Sequence, residues 1–419
     1  MKALHLEGID AGAAELHPWR PRFYLLVLTA AGVFGITFGI LLTLFWNQGP
    51  LARYEYELWR WETNNLISST FSLLGVGADL NPGEESDVLT TYFALTSQLR
   101  AELGSPDPDA ALLEVLANER ATFENDVERI VEGYLTDALE EAGLERSLPL
   151  FTGYEVVWPP VDIELTSPPR LLVRSPRDEI RRAGDTLLKT DLSLAEIEAI
   201  EGDINDEDTV SLVVSIGGLA AYPAIVREDR SYDSILATSA HEWVHHYLAF
   251  YPLGAAFGRG DGTTLNETTA NIAGREIARI ARALHPVEFA QGADGRGPAG
   301  ERPAIDFNAE MRTLRLGVDA LLEDGRTGEA EALMEERRRY LAENGIFIRK
   351  INQAYFAFYG SYADRPQSSD PIGPKVARVW EETLDVGLFL ALMREVRSIE
   401  DVDATLVRLG VDPESVVDP

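Results

Sequence analysis

Between Phe23 and Trp46 the chain reads FYLLVLTAAGVFGITFGILLTLFW, an apolar run with no charged residue. A helix rising ~1.5 Å per residue would carry it across a bilayer core. Trp19, Phe23 and Tyr24 lie at one end and Phe45 and Trp46 at the other, where amphipathic rings gather at membrane interfaces. The run is too long for a cleavable signal peptide, and it ends in bulky rather than small residues. It predicts one uncleaved transmembrane helix over 23–46, with a buried core helix as the alternative. Arg20 and Arg22 abut its amino end, with Lys2 behind, whereas Arg53 and Arg60 stand farther from the other end. That asymmetry points a short tail, 1–22, to the cytoplasm and the body of the chain outward. Gly35 and Gly39 form a Gly-x-x-x-Gly pair that would permit helix–helix self-association.

Past the span the apolar period becomes helical. Tyr54, Leu58, Trp61 and Leu66 predict a helix over 50–76, with Pro50 at its first turn. Further helices are predicted at 87–103 and, as one long charged element, at 110–143, separated by GSPDPD. From Leu148 to Pro223 the pattern changes. YEVVWPPVDIEL, RLLVRS and TVSLVVSIGG are rich in Val, Ile and Leu and bounded by Pro, Gly and Ser, as strands are. LSLAEIEAIEG between them reads as a helix. Helical spacing then resumes over 233–250, 264–284, 308–323, 327–344, 346–362, 373–395 and 399–408. The chain thus divides into the tail 1–22, the span 23–46, a helical juxtamembrane region 50–144 and a body 145–419.

Composition narrows the function. The chain is 45% hydrophobic, enough for a real core, and its net charge is −32, which excludes a nucleic-acid partner because the phosphate backbone demands a basic surface. It has no cysteine, so disulfides, thiol nucleophiles and thiolate metal sites are excluded. It has only six histidines, and half of them fall in SAHEWVHHYLAF: His241, His245 and His246.

On a helix that ends before Pro252, His241 and His245 lie four apart on one face, where both imidazoles can reach one zinc ion. Glu242 points to the side of that face, where it can take a proton from an activated water rather than bind the metal. A catalytic zinc needs a third protein ligand. Leu248 and Tyr251 stand where a metzincin has Gly and His, so that solution is absent. A glutamate from the following helix is the other common one, and Glu267 in NETTANIAGREIARIARAL suits it, with Glu276 as the fallback. Asn271, one turn after Glu267, could hydrogen-bond the back of a ligand histidine and fix its ring. Ala270, Gly274 and Ala278 form a ridge of small residues that would let two helices approach closely. His246 is one step off the metal face and reads as a packing histidine; His285, before Pro286, reads as a helix end. Asn352, Tyr355, Tyr359 and Tyr362 recur at helical spacing, equally suited to an aromatic core face or to a donor for a developing oxyanion. Gly217 and Gly218 would let a ligand backbone approach the strand before the metal helix, or belong to an ordinary internal strand.

His-Glu-x-x-His followed by Asn-Glu-x-x-Ala resembles the gluzincin clan of zinc peptidases. More narrowly, the chain resembles a family of predicted bacterial aminopeptidases, whose later Asn-Asn-Ala motif is followed by a tyrosine. Asn352, Ala354 and Tyr362 match that motif, and Gln353 stands where the family has its second Asn. The resemblance covers residues 217 to 375. It implies a zincin-like fold, peptide substrates, Tyr362 as the oxyanion donor, and a strand edge at Gly217 and Gly218 to which the substrate backbone pairs.

The expectation is therefore an α+β protein: an N-terminal transmembrane helix, then a mostly helical metallopeptidase domain with a small β-sheet. It would be a single-pass membrane protein with an extracytoplasmic zinc-dependent catalytic domain, aminopeptidase action being one form of its activity. The rival from another class is a membrane-tethered interaction module that keeps the fold without turnover.

Overall fold

A computed structural model describes residues 51–63, 65, 80–147, 155–296, 305–365 and 368–416. The chain divides into two compact units, Met1–Trp46 with Trp59–Ala78, and Asn47–Leu58 with Asp79–Pro419. Of the first unit, residues 59–63 and 65 are described and are helical. The tail 1–22 and the expected span 23–46, with Gly35 and Gly39, lie outside the described residues.

The second unit begins with an extended segment where a helix was expected. Tyr56 N donates to Leu187 O at 3.0 Å and Lys189 N to Tyr54 O at 2.8 Å, so 54–56 lies along a strand edge. Helix α1, Pro82–Leu103, starts at a full capping box, in which Asn81 and Glu84 satisfy each other's backbone N–H groups. The predicted single helix 110–143 is two: α2, Ala110–Ala121, and α3, Glu124–Glu141. Thr122 Oγ1 bonds Glu119 O at 2.7 Å and closes the first of them.

Among the described residues eight short strands follow in three small sheets. Strands β1, Glu145–Ser147, and β2, Glu155–Val157, form an antiparallel pair. Strands β3, Ile163–Leu165, β8, Ala224–Val226, and β7, Gly218–Leu219, form a second sheet with β7 at one edge. The far edge, β3, is covered by α3: Glu128 accepts from Leu165 N at 2.6 Å and Glu132 from Ile163 N at 2.9 Å. The third sheet has β4, Arg170–Pro176, between β5, Gly184–Leu188, and β6, Thr209–Ser215, all antiparallel. Helix α4, Leu194–Ile204, lies between β5 and β6 in sequence.

The remainder is helical: α5 Tyr232–Leu248, α6 Pro252–Ala256, α7 Gly262–Leu284, α8 Phe307–Glu323, α9 Thr327–Glu343, α10 Gln353–Tyr359, α11 Ile372–Thr383, α12 Val386–Met393 and α13 Ile399–Arg408. Two predictions shorten. The helix expected at 346–362 is only α10, because Asn352 caps it, its Oδ1 accepting from Tyr355 N at 3.0 Å while its Nδ2 donates to Ser211 O of β6. The helix expected at 373–395 breaks at Leu384, whose φ is +48°, and Asp385 caps the next helix at Leu388 N.

The expected fold class is thereby corrected. Among the described residues no helix is long and apolar enough to cross a membrane. The longest, α1 and α7, are polar along one side, with Glu84, Asp87 and Glu102 on the first and Arg275, Glu276 and Arg279 on the second. The protein is mostly helical, and its β-structure is three small sheets rather than one. Proline and glycine cut the strand runs: Pro159 and Pro160 separate β2 from β3, and Gly217 ends the run that becomes β6 and β7.

Among the described residues two large apolar cores result, beside smaller clusters between the β4–β6 sheet and α4 and between α1 and α2. The larger joins α1, α3, α5, α7, α11, α12 and the β3–β8 pair, so residues on both sides of the expected boundary at 145 share it. The smaller joins β4 and β6 to α8, α9 and α10. At the centre of the larger core α5 and α7 meet backbone to backbone. Ala270 and Ala273 are fully buried there, and a Cβ at Gly274 would stand 2.8 Å from His241 N and 2.9 Å from His241 Cα.

Gly274→Ala tests this contact. Alanine gains about 1 kcal/mol of helix propensity over glycine. Overpacking against backbone costs about 1–3 kcal/mol, and it should win because neither helix can move without dragging the core. The urea midpoint should fall; an unchanged or higher midpoint would show that the helices are not in contact at this position.

Candidate metal centre

Ser231 starts α5, its side chain accepting from Ser234 N, and the helix carries His241, Glu242 and His245 inward. His241 and His245 sit edge to face, ring centroids 4.6 Å apart, with their Nε2 atoms 3.0 Å apart. Across the α5–α7 contact, Glu267 Oε2 lies 3.5 Å from His241 Nε2 and 3.6 Å from His245 Nε2. One ligand atom from each of the three residues falls within 4.8 Å of the others, so this group can hold a metal ion.

The donor chemistry fits a cation. Two imidazole nitrogens and a carboxylate oxygen converge on one point, and all are metal ligands of choice. Glu267 Oε2 is buried without a hydrogen bond of normal length, an expensive condition unless a positive charge faces it. The ionisation of the cluster says the same. Burial pushes the His245 imidazole down, but the Glu267 charge and the hydrogen bonds around the ring outweigh it and bring the group up to about 9. Burial pushes the Glu267 carboxyl up, and the His245 and His241 charges overcome it, holding the group well below the usual carboxylate range. In the bare protein a proton does part of what a cation does better.

Behind the ligands, His245 Nδ1 meets Asn266 Oδ1 at 2.6 Å. An amide oxygen there keeps the proton on Nδ1 and turns the Nε2 lone pair toward the metal point. Asn271, the residue expected in that role, is elsewhere: its Nδ2 donates to Asp364 at 2.9 and 2.8 Å. Glu276 is not near the cluster either; it pairs with Arg279. His246 packs against Tyr222, ring centroids 5.5 Å apart, and burial lowers it to about 4. His285 ends α7, stacks on Tyr134 at 3.9 Å and pairs with Asp137 at 2.8 Å.

Glu242 is buried, and burial raises its carboxyl above the ordinary range against the pull of His241 and His245. It lies under β7: a Cβ at Gly218 would stand 2.5 Å from Glu242 Oε1 and 2.8 Å from Thr238 Cγ2. A side chain at 218 would therefore displace the Glu242 carboxylate from its place beneath the strand. Gly217 has open space where a Cβ would be, and its carbonyl accepts from Arg227 N at 3.3 Å. Tyr362 stands beside the cluster, its ring centroid 6.2 Å from that of His241. Burial, then the Glu267 and Glu242 charges, push its hydroxyl well above the usual phenol range, so it stays a hydrogen-bond donor. Tyr355 and Tyr359 pack on each other with tilted rings, centroids 4.5 Å apart, within the smaller core. Of the tyrosine stripe, the structure brings only Tyr362 to the metal group.

Two residues of this neighbourhood, Asp364 and Arg182, carry no mark in the sequence, and a third, Asn266, is marked only as the first residue of the Asn-Glu-x-x-Ala motif. Asn266 precedes Glu267 directly, and only the helix orientation distinguishes it from Asn271. Asp364 binds Asn271 and Arg275 from ninety residues along the chain. Arg182, paired with Asp185 at 2.7 Å, adds a half-buried positive charge that acts on Glu267 and Tyr362. No family model matches the chain, and neither a curated protein nor a solved structure matches it.

Asn266→Ala should weaken metal binding about 10–100-fold, the usual cost of losing a ligand's outer hydrogen bond. Competition against a chromophoric chelator measures it. An affinity equal to that of the unaltered protein would mean that His245 is held by something other than Asn266.

Proposed function

We propose that the protein is a zinc-dependent peptidase. The observation that carries the reading is the convergence of His241, His245 and Glu267 on one point with the buried carboxylate of Glu242 one residue along the same helix. Zinc suits two imidazoles and a carboxylate, and when bound it supplies Lewis acidity toward a water molecule and a peptide carbonyl. The resemblance of HExxH and NExxA to the gluzincin peptidases supports the same assignment.

Each protein group then has a separate task. Glu242 takes the proton from the attacking water and afterwards delivers it to the leaving amine, so that one carboxyl serves as base and then acid. The Tyr362 hydroxyl donates to the carbonyl oxygen as negative charge builds on it. An extended substrate pairs with the free edge of β7, where the open space at Gly217 admits a backbone. Glu242 lies directly beneath Gly218 of that strand, so a peptide laid along the edge passes over the base.

The test joins zinc content with cleavage of a peptide library. Wild-type protein should hold one zinc and cleave some members. Glu242→Gln should keep the zinc and lose about 10²–10⁴-fold in turnover, as general-base loss does. Tyr362→Phe should keep the zinc, lose about 10²–10³-fold in kcat and change KM little. A Glu242→Gln variant as active as wild type would remove the proposed mechanism; cleavage without zinc would remove the metal from it.

A further inference from the structure

Tyr362 and the metal ligands are anchored in different cores. Tyr362 packs on the smaller core against Phe358, ring centroids 6.1 Å apart, whereas His241, His245 and Glu267 sit on helices of the larger one. The chain passes between the cores at one peptide: Tyr362 belongs to the smaller and Ala363 is buried in the larger. What holds residues 362–364 therefore decides how far the hydroxyl stands from the metal point.

Helix α7 grips that tripeptide along one stripe. Thr268 Oγ1 accepts from Ala363 N at 3.0 Å. Asn271 Nδ2 donates to both oxygens of Asp364, at 2.9 and 2.8 Å, and Arg275 Nη2 donates to Oδ2 at 2.7 Å. Residues 268, 271 and 275 are three and four apart, hence on one face, and that face adjoins the ligand Glu267. From the other side α11 presses on the same peptide: a Cβ at Gly373 would stand 2.0 Å from Ala363 O. The Asp364 side chain is only 8% exposed; its bonds to Asn271 are partly buried, whereas Arg275 reaches it from the solvent side.

We propose that Asp364 is a positioning residue: through Asn271 and Arg275 it fixes Tyr362 to the helix that carries Glu267, and so sets the distance between the oxyanion donor and the metal. The inference rests on the reading of Tyr362 as that donor, but the clamp itself is a claim about geometry. A carboxylate held by an amide and a guanidinium makes strong, directional bonds on an otherwise short connection between cores. Displacing a catalytic group by about 1 Å can cost ~10²-fold in rate, so such a tether matters.

The test uses the full chain with 3-fluorotyrosine placed at position 362 and two variants, Asp364→Asn and, as the milder change should the first not fold, Asn271→Ala. In the unaltered protein the fluorine resonance should be single and narrow; in either variant it should broaden or split. With zinc bound, kcat should fall about 10–100-fold while KM stays within about twofold. In a Tyr362→Phe background the same Asp364→Asn change should cost almost nothing, because the two act on one interaction. Exchanging the partners, Asn271→Asp with Asp364→Asn, should recover part of the loss. An unchanged fluorine signal in a folded variant overturns the proposal, and so does a kcat loss of equal size in the Tyr362→Phe background. If no form cleaves any peptide while the fluorine signal still responds, the clamp stands and the peptidase reading falls.

Discussion

The approach of α5 to α7 at Gly274 is the contact on which the rest of the centre depends. A hydrogen in place of a side chain lets the helix carrying Glu267 pass within backbone distance of His241. Ala270 and Ala273 extend the smooth surface, and the neighbouring positions fill with Leu265, Ile272 and Ile277. Three ligand atoms from two helices can then meet at one point, which no single helix could arrange. The cost of that convergence is a buried carboxylate with no normal hydrogen bond beside two imidazoles that face each other. A cation held there would relieve both, and its binding would then be linked to the packing of the two helices.

Around this pair lie the two largest cores of the described residues, and the centre lies where they join. The connection from β6 through β7 to β8 leaves the smaller core after Leu219 and joins the larger at Ala224, with Gly218 directly over Glu242. The connection from α10 crosses back at Tyr362 to Ala363. Both crossings are backbone segments in contact with a functional side chain. A site built at such a seam gathers groups from distant parts of the sequence, and its geometry is fixed by the bonds that close the seam.

That division explains what the sequence made legible. His241, Glu242, His245 and Glu267 are readable because their chemistry has a spacing: one helical turn, then a second helix with its own start. The small ridge around Gly274 is readable for the same reason. Asn271 was assigned by spacing alone, and spacing cannot tell which of two asparagines on one helix turns toward a ring when the helix rotation is set by packing. Asp364 and Arg182 reach the site only through tertiary contacts, which leave no local pattern. In the fold, periodicity located most helices but overran their ends, because Asn352 and Asp385 act as caps inside continuous apolar patterns. The 23–46 run lies outside the described residues, and among those described no helix is long and apolar enough to cross a membrane.

X-ray absorption at the zinc edge addresses the central claim most directly, because it reads the ligand shell without requiring a substrate. The account predicts zinc retained through purification in a four-coordinate shell: two imidazole nitrogens at about 2.0–2.1 Å, with oxygen ligands at about 2.0–2.2 Å making up the rest. A protein that retains no zinc, or zinc in a shell of oxygens without imidazole scattering, would contradict it.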